Sequence, residues 1–346
     1  MDKAIILTAG LLDTADAKTA HGLIRESERF EITGVVDFRH AGSDAGVVLD
    51  GKHRNIPVFE SIENAVQTGA KYCIIGVATT GGRFPEIMLQ MVRTAIENGL
   101  SIVNGLHDYL SERPDIAELA NLHQVQLTDI RKPKKFADLH FWTGEILHME
   151  TPVIAVMGTD CALGKRTTTR LVMKSCADAG LKTQMIYTGQ TGWLQGGKYG
   201  FIFDSTLNDF VSGELEHAIL KCNQETSPEI IFLEGQSALR NPSGPCGAEY
   251  LLSGKARHVI LVHAPKRDFF DKEPHFGKIP TLESELELIR LYGAEVIALA
   301  LNTEDCTEEE MLRYRASYEK QFGIPVLLPI QEGCDPIIPV LKSLLP

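Results

Sequence analysis

Short apolar runs rich in β-branched residues alternate with stretches of helical period from one end of the chain to the other. In the first half the runs are Ala4–Thr8, Ile32–Val36, Tyr72–Val77, Ser101–Val103 and Gln124–Gln126. Helical patterns lie between them, over Thr19–Glu28, Ile62–Gln67, Pro85–Asn98 and Ile116–Asn121. The alternation restarts at Val153–Met157 and continues through Lys182–Tyr187, Glu229–Leu233, His258–His263, Glu295–Leu301 and Pro325–Leu328. Helices are predicted there over Thr167–Ala179, Leu207–Asn223, Leu282–Leu291 and Glu308–Phe322. Strands alternating with helices predict an α/β protein of βαβ units with mostly parallel sheets. At 346 residues the chain can fill two ordinary domains, each with its own core. Between Lys132 and Glu150 a proline, a basic run and the aromatics Phe141 and Trp142 break the pattern, which predicts domains over 1–140 and 141–346.

Composition narrows the classes of function. A hydrophobic content of 44% with 23% charged residues describes a soluble globular protein. A net charge of −12 excludes a nucleic-acid footprint, which needs clustered Lys and Arg. The densest basic run, Arg131-Lys132-Pro133-Lys134-Lys135, is short and reads as a solvated linker. The opening apolar run Ala4–Leu12 has no small-residue cleavage site, and nowhere do about 18 apolar residues follow one another, so no membrane partner is expected. Seven scattered cysteines form no Cys-x-x-Cys pair and no zinc-like spacing with His. No metal is expected, and a reducing cytoplasm is.

One string decides the chemistry. Directly after the run Val153–Met157 come Gly158, Thr159, Asp160, Cys161, Ala162, Leu163, Gly164, Lys165, Arg166 and Thr167, and then a helical pattern. Strand, glycine-bearing turn and helix start make a phosphate-binding loop: unpaired N–H groups and the positive end of the helix dipole face an anion. Gly164 permits close backbone approach and Lys165 adds a point charge. The usual pattern G-x-x-x-x-G-K-[ST] puts a hydroxyl on Mg²⁺ where this chain has Arg166. The loop therefore suits a phosphate that is held rather than broken. Two more turns fall at the same sheet edge, Thr188-Gly189-Gln190-Thr191-Gly192 and Glu234-Gly235-Gln236. Ligands of open α/β sheets bind beyond the carboxyl ends of the strands, where these turns converge. Glu234 is the candidate general base, or the partner of an ion pair with Lys165. Asn302-Thr303-Glu304-Asp305 could read a nucleobase; the Glu-rich turn after Thr307 favours helix capping instead.

The first half is less explicit. Asp37 ends the second strand, where an acid can hold a ribose hydroxyl of NAD, but the G-x-G-x-x-G run is missing around Gly10. Gly76–Arg83 and Gly105-Leu106-His107-Asp108 are polar strand ends, and His107 is a second candidate base.

Taken together, these strings resemble a bacterial family that pairs an N-terminal Rossmann-like domain with a C-terminal P-loop NTPase-like domain. The strings that carry it are Lys18–Leu23, Asp44-Ala45-Gly46, Gly81-Gly82-Arg83, Gly105–Asp108, Asp129–Pro133, Gly158–Thr168, Thr188–Gly192 and Glu234–Gln236. One branch of that family is the D-glutamate N-acetyltransferases, so the resemblance implies acetyl transfer from acetyl-CoA to the amine of a small acidic amino acid. CoA carries a pyrophosphate and a 3′-phosphate that need no Mg²⁺, which suits Arg166. Gly189, Gln190 and Thr191 would then help hold the coenzyme and polarise the thioester carbonyl. Arg83, Arg131 or Arg240 could fork onto a substrate carboxylate. The second domain also resembles dethiobiotin synthetase, which implies the alternative of a Mg-ATP-dependent kinase or ligase; a nucleotide- or NAD-binding protein is a third reading. A homo-oligomer is expected.

Overall fold

The structure, a computed structural model, describes residues 1–345. The chain falls into two compact units, Met1–Lys134 together with Gln190–Gly197, and Lys135–Gly189 together with the chain from Lys198 onward.

The first unit runs β1 (Asp2–Leu7), α1 (Lys18–Arg25), β2 (Phe30–Val36), α2 (Ala45–Asp50), β3 (Val58–Phe59), α3 (Ile62–Ala65), β4 (Tyr72–Ile75), α4 (Glu86–Glu97), β5 (Ser101–Asn104), α5 (Pro114–Leu122) and β6 (Leu127–Asp129). Its six parallel strands lie in the order β3-β2-β1-β4-β5-β6, so the order reverses between β1 and β4. That is the doubly wound, Rossmann-like arrangement. Ile5, Ile6, Leu7, Ile74 and Ile75 are buried because helices cover both faces of the sheet. Two expected boundaries move. α1 stops at Arg25 because Glu26 takes extended backbone. The last strand starts at Leu127 rather than Gln124, whose left-handed φ of 56° turns the chain off the end of α5.

The second unit contains β7 (Val153–Gly158), α6 (Lys165–Asp178), β8 (Thr183–Tyr187), then α7 (Gln190–Leu194), which belongs to the first unit, followed by β9 (Tyr199–Gly200), α8 (Asn208–Thr226), β10 (Ile230–Glu234), α9 (Ala248–Leu252), β11 (His258–His263), α10 (Leu282–Leu291), β12 (Glu295–Leu301), α11 (Glu308–Phe322), β13 (Val326–Leu327) and α12 (Ile338–Ser343). Seven parallel strands lie in the order β13-β12-β11-β7-β10-β8-β9. Along β7 the side chains divide by the two-residue period: Val153, Ala155 and Met157 enter one core, Ile154 and Val156 the other. Burial on both faces is why this strand reads as a continuous apolar run. It also places the loop after β7 near the middle of the sheet's carboxyl edge, between the loops that follow β10 and β11.

Candidate active site in the P-loop unit

β7 hands the chain to a loop that turns into α6. Ala162 and Gly164 both take left-handed backbone, with φ of 51° and 90°. Nothing would crowd a Cβ at Gly164, so glycine serves there for its conformational freedom. Gly164 caps α6, and no side chain hydrogen-bonds the helix start. The first-turn N–H groups therefore face outward with the positive end of the dipole, the cradle expected for an anion. Gly235, after β10, serves through close approach: a Cβ there would lie 2.2 Å from the Val156 carbonyl oxygen.

Lys165 is 6% exposed and folds back, its ammonium donating to the carbonyls of Asp160 and Ser237 at 2.7 Å each. Burial pushes its pKa down to about 8, against the pull of Cys161 and Asp160. The ion pair anticipated between Lys165 and Glu234 forms with Arg166 instead, Nη1 to Oε1 at 3.5 Å. Glu234 ends a fully buried strand. Its carboxyl is raised above the usual range by burial, with the Arg166 charge and the Thr188 N–H pulling the other way. Thr188 ties the turn after β8 to the turn after β10. Its N–H donates to Glu234 Oε2 at 3.1 Å, its hydroxyl donates to the Glu234 carbonyl at 2.6 Å and accepts from Gln236 Nε2 at 3.0 Å.

Four contributors to the loop's shape, Asn241, Arg267, Asp271 and His263, were not singled out from the sequence. Asp160 is fully buried, and both its oxygens accept hydrogen bonds: Oδ1 from Asn241 at 2.9 Å, Oδ2 from Arg267 at 3.0 Å and from the Asp271 N–H at 2.9 Å. Arg267 also donates to the Cys161 carbonyl at 2.8 Å and reaches Glu304 at 3.0 Å. Asp160, Cys161 and Asp271 cluster tightly enough to resemble a metal site, but the Asp160 oxygens are already engaged. His263 sits 3.0 Å from the Thr159 hydroxyl, and burial holds its pKa at about 4, so the ring is neutral at pH 7. Asn302 clamps the loop from the β12 side by donating to the Leu163 carbonyl at 3.1 Å. The helix cap expected from Asn302 to Asp305 falls on Thr307 instead, which starts α11 with a capping box closed by Glu310. A cleft of about 230 Å³, lined in part by Arg267, Lys272 and Glu304, opens beside the loop.

The remaining candidates are distributed as follows. Gln190 and Thr191 are buried within the first unit. There Gln190 accepts from Arg131 at 2.9 Å, and the Thr191 hydroxyl lies 3.3 Å from that of Thr19. Arg131 also donates to the Gly105 carbonyl at 3.0 Å. Gly189 approaches Gln236, whose amide nitrogen would lie 2.8 Å from an added Cβ. Arg240 is held by Glu285, with Nε to Oε2 at 2.7 Å, so its fork is occupied within the fold. Arg83 is exposed and helps depress the Asp108 carboxyl, after the stronger hold of Arg113. His107 is exposed beside Gly82, to whose carbonyl its N–H donates at 3.1 Å. Asp37, the residue that could hold a ribose, spends Oδ2 on the Thr8 hydroxyl and the N–H groups of Gly10 and Leu12, at 2.7–3.0 Å. The turn after β1 thus occupies the place where a dinucleotide hydroxyl would bind.

Fold and site define a two-domain α/β protein, a Rossmann-like unit joined to a P-loop unit whose phosphate loop lacks the usual metal hydroxyl. The chain belongs to the DUF1611 family: residues 38–133 match its Rossmann-like domain and residues 140–338 its P-loop domain, each described as a domain of unknown function. It is similar to two proteins named D-glutamate N-acetyltransferase. One, from Pseudoalteromonas sp., is 30% identical over 285 residues, covering 80% of this chain and 83% of that protein. The other, from Tritonibacter scottomollicae, is 28% identical over 319 residues, covering 90% and 93%. The crystal structure of a DUF1611 family protein from Anabaena variabilis superposes with a TM-score of 0.90 at 25% identity, over 99% of this chain and all of that one.

Proposed function

We propose that this protein transfers the acetyl group of acetyl-CoA to the amine of D-glutamate. The observation that carries the reading is Arg166: the position that usually supplies a metal hydroxyl holds a guanidinium, paired with the acid at the end of β10. A cation there complements a phosphate that is bound without Mg²⁺ and left intact, as the pyrophosphate of CoA would be. The alternative, phosphoryl transfer from Mg-ATP, needs the hydroxyl that is missing. The two relatives named D-glutamate N-acetyltransferase support the choice of acceptor.

In the reaction the substrate nitrogen attacks the thioester carbonyl carbon, the C–N bond forms, the C–S bond breaks and CoA leaves as the thiol. The substrate ammonium gives up one proton before attack and the new C–N centre gives up another, one of which ends on sulfur. Glu234, with its raised pKa, is our proposed proton acceptor, a role that needs the amine delivered into a desolvated pocket.

Thiol release followed with a chromogenic reagent tests the proposal, with D- and L-glutamate and D- and L-aspartate as acceptors. Free CoA should appear only with acetyl-CoA and an acidic amino acid together, and fastest with D-glutamate. Cys161 and Cys306, the cysteines that are not buried, set the blank. ATP consumption with a carboxylate substrate, without CoA release from any acceptor, would overturn the proposal.

A further inference from the structure

The strap that leads into the P-loop unit, residues 135–149, is held in an unusual way. Two glutamates of α8, Glu214 and Glu216, are 1% and 2% exposed. Their carboxylates hold this strap. Glu214 Oε1 accepts from the His140 N–H and lies 2.9 Å from His140 Nδ1. Glu216 accepts from the Thr143 N–H at 2.6 Å, the Thr143 hydroxyl at 3.1 Å and the Ile146 N–H at 3.2 Å. Gly213 lets the strap lie directly on α8, since a Cβ there would be 2.1 Å from the His140 carbonyl oxygen. Lys255 fixes the far end through the carbonyls of Leu147 and Met149. Burying two carboxylates costs several kcal/mol unless their hydrogen bonds are good, so this segment is firmly pinned.

What the pinned strap presents outward is apolar. Phe136 is 74% exposed, Phe141 66%, Leu147 51% and Trp142 37%, and α8 and α9 add Leu207 and Leu252 at 52% and 53%. These side chains are contiguous. Phe210 stacks edge-on against both Phe136 and Phe141, at ring distances of 5.4 and 5.7 Å, and Leu207 begins the same helix. Trp142 packs over Gly144 next to Leu147 and donates to the Ser253 carbonyl beside Leu252 at 3.2 Å. Together they expose roughly 600 Å² of apolar surface on the area scale of such side chains. That equals the largest patch usual on a monomer and approaches the ~800 Å² that each partner contributes to a stable interface.

We infer that this face is the interface of a homodimer, closed by a second copy of the chain about a two-fold axis. Two copies of the patch supply the aromatic core and the area that a stable dimer needs, and the commonest soluble oligomer has this symmetry. The rim carries both signs, exposed Lys135 against exposed Asp138 and Asp209, so a two-fold copy can set opposite charges against each other. Pinning the strap before association removes the ordering cost that flexible interface segments bear.

Sedimentation velocity of the full chain from about 0.1 to 50 μM tests this. The wild type should sediment as a dimer, and Phe136→Ser with Phe141→Ser should raise the dissociation constant at least a hundredfold. Leu291→Ser, at a site 75% exposed on α10, should change nothing. Circular dichroism checks that the double variant is folded. If it is not, hydrogen exchange of wild-type residues 135–149 replaces it, with protection expected to fall on dilution. A monomer throughout the range overturns the inference, and so does a dimer that the folded double variant leaves intact or whose strap exchanges at one rate at every concentration. A heterologous partner that binds this face on a monomeric chain overturns it as well.

Discussion

Lys165 gives the sharpest test of the phosphate loop, because its ligand-free state is legible in the structure. Burial holds its pKa at about 8 while the ammonium is satisfied only by two carbonyls. A phosphate arriving in the cradle favours the charged form, so binding above pH 8 must take up a proton. If only the protonated form binds, about nine-tenths of the protein is competent at pH 7, half at pH 8 and a tenth at pH 9. The affinity for CoA should then fall about tenfold from pH 7 to pH 9, a change of about 1.4 kcal/mol. Lys165→Met should weaken binding at pH 7 by about 1.5–3 kcal/mol, the range for hydrogen bonds to charged groups, and should leave the affinity flat over the same interval. Stability of the ligand-free protein should move the opposite way. Between about 8 and the ordinary lysine value of 10.5 the unfolded chain binds more protons than the folded one, so stability rises with pH through that window. Calorimetric titration with CoA in two buffers of different ionisation enthalpy reads affinity and proton uptake together, with about half a proton expected at pH 8. A pH-independent affinity, or the same pH dependence in Lys165→Met, would refute the assignment of this lysine to the phosphate.

Two further expectations follow from neighbouring residues. Turnover should persist in excess EDTA because Arg166 stands where a metal hydroxyl would be, and activity lost to chelator and restored by Mg²⁺ would instead revive the phosphoryl-transfer reading. Glu234→Gln should cut the rate by about 10²–10⁴-fold while acetyl-CoA affinity changes little, measured by thiol release and calorimetry in parallel; a fully active variant would move the base elsewhere, with His107 next to be tried.

The cradle was legible in the sequence because it is local: an apolar run, a glycine-bearing turn and a helix start are contiguous, and each constrains the next. The partners of its charged groups were not. Whether Glu234 meets Lys165 or Arg166 depends on which way two adjacent side chains leave the first turn of α6, and both are compatible with the same spacing. The clamp on Asp160 draws on Asn241, Arg267 and Asp271, residues from 81 to 111 positions away, brought near only by the order of β7, β10 and β11. Arg240 reads as a candidate for a substrate carboxylate until α10 supplies Glu285. Asp37 reads as a ribose ligand because its position at the end of β2 is right; only the backbone of the preceding turn reveals that its lone pairs are spent.

The eight residues Gln190–Gly197 lie in sequence between two strands of the P-loop sheet but pack on α1. Arg29 sits 4.1 Å over the Trp193 ring and donates to the Trp193 carbonyl, and Gln195 donates to the carbonyls of Gly22 and Glu26. The chain therefore passes between the two units three times, at Lys134, Gly189 and Gly197, rather than once. A gene cut at residue 134 would yield two fragments, neither of which is a whole module: one with a bare helix face, the other with an orphaned tryptophan-bearing helix. Such a pair cannot be shuffled, fused to other partners or lost separately as beads on a string can.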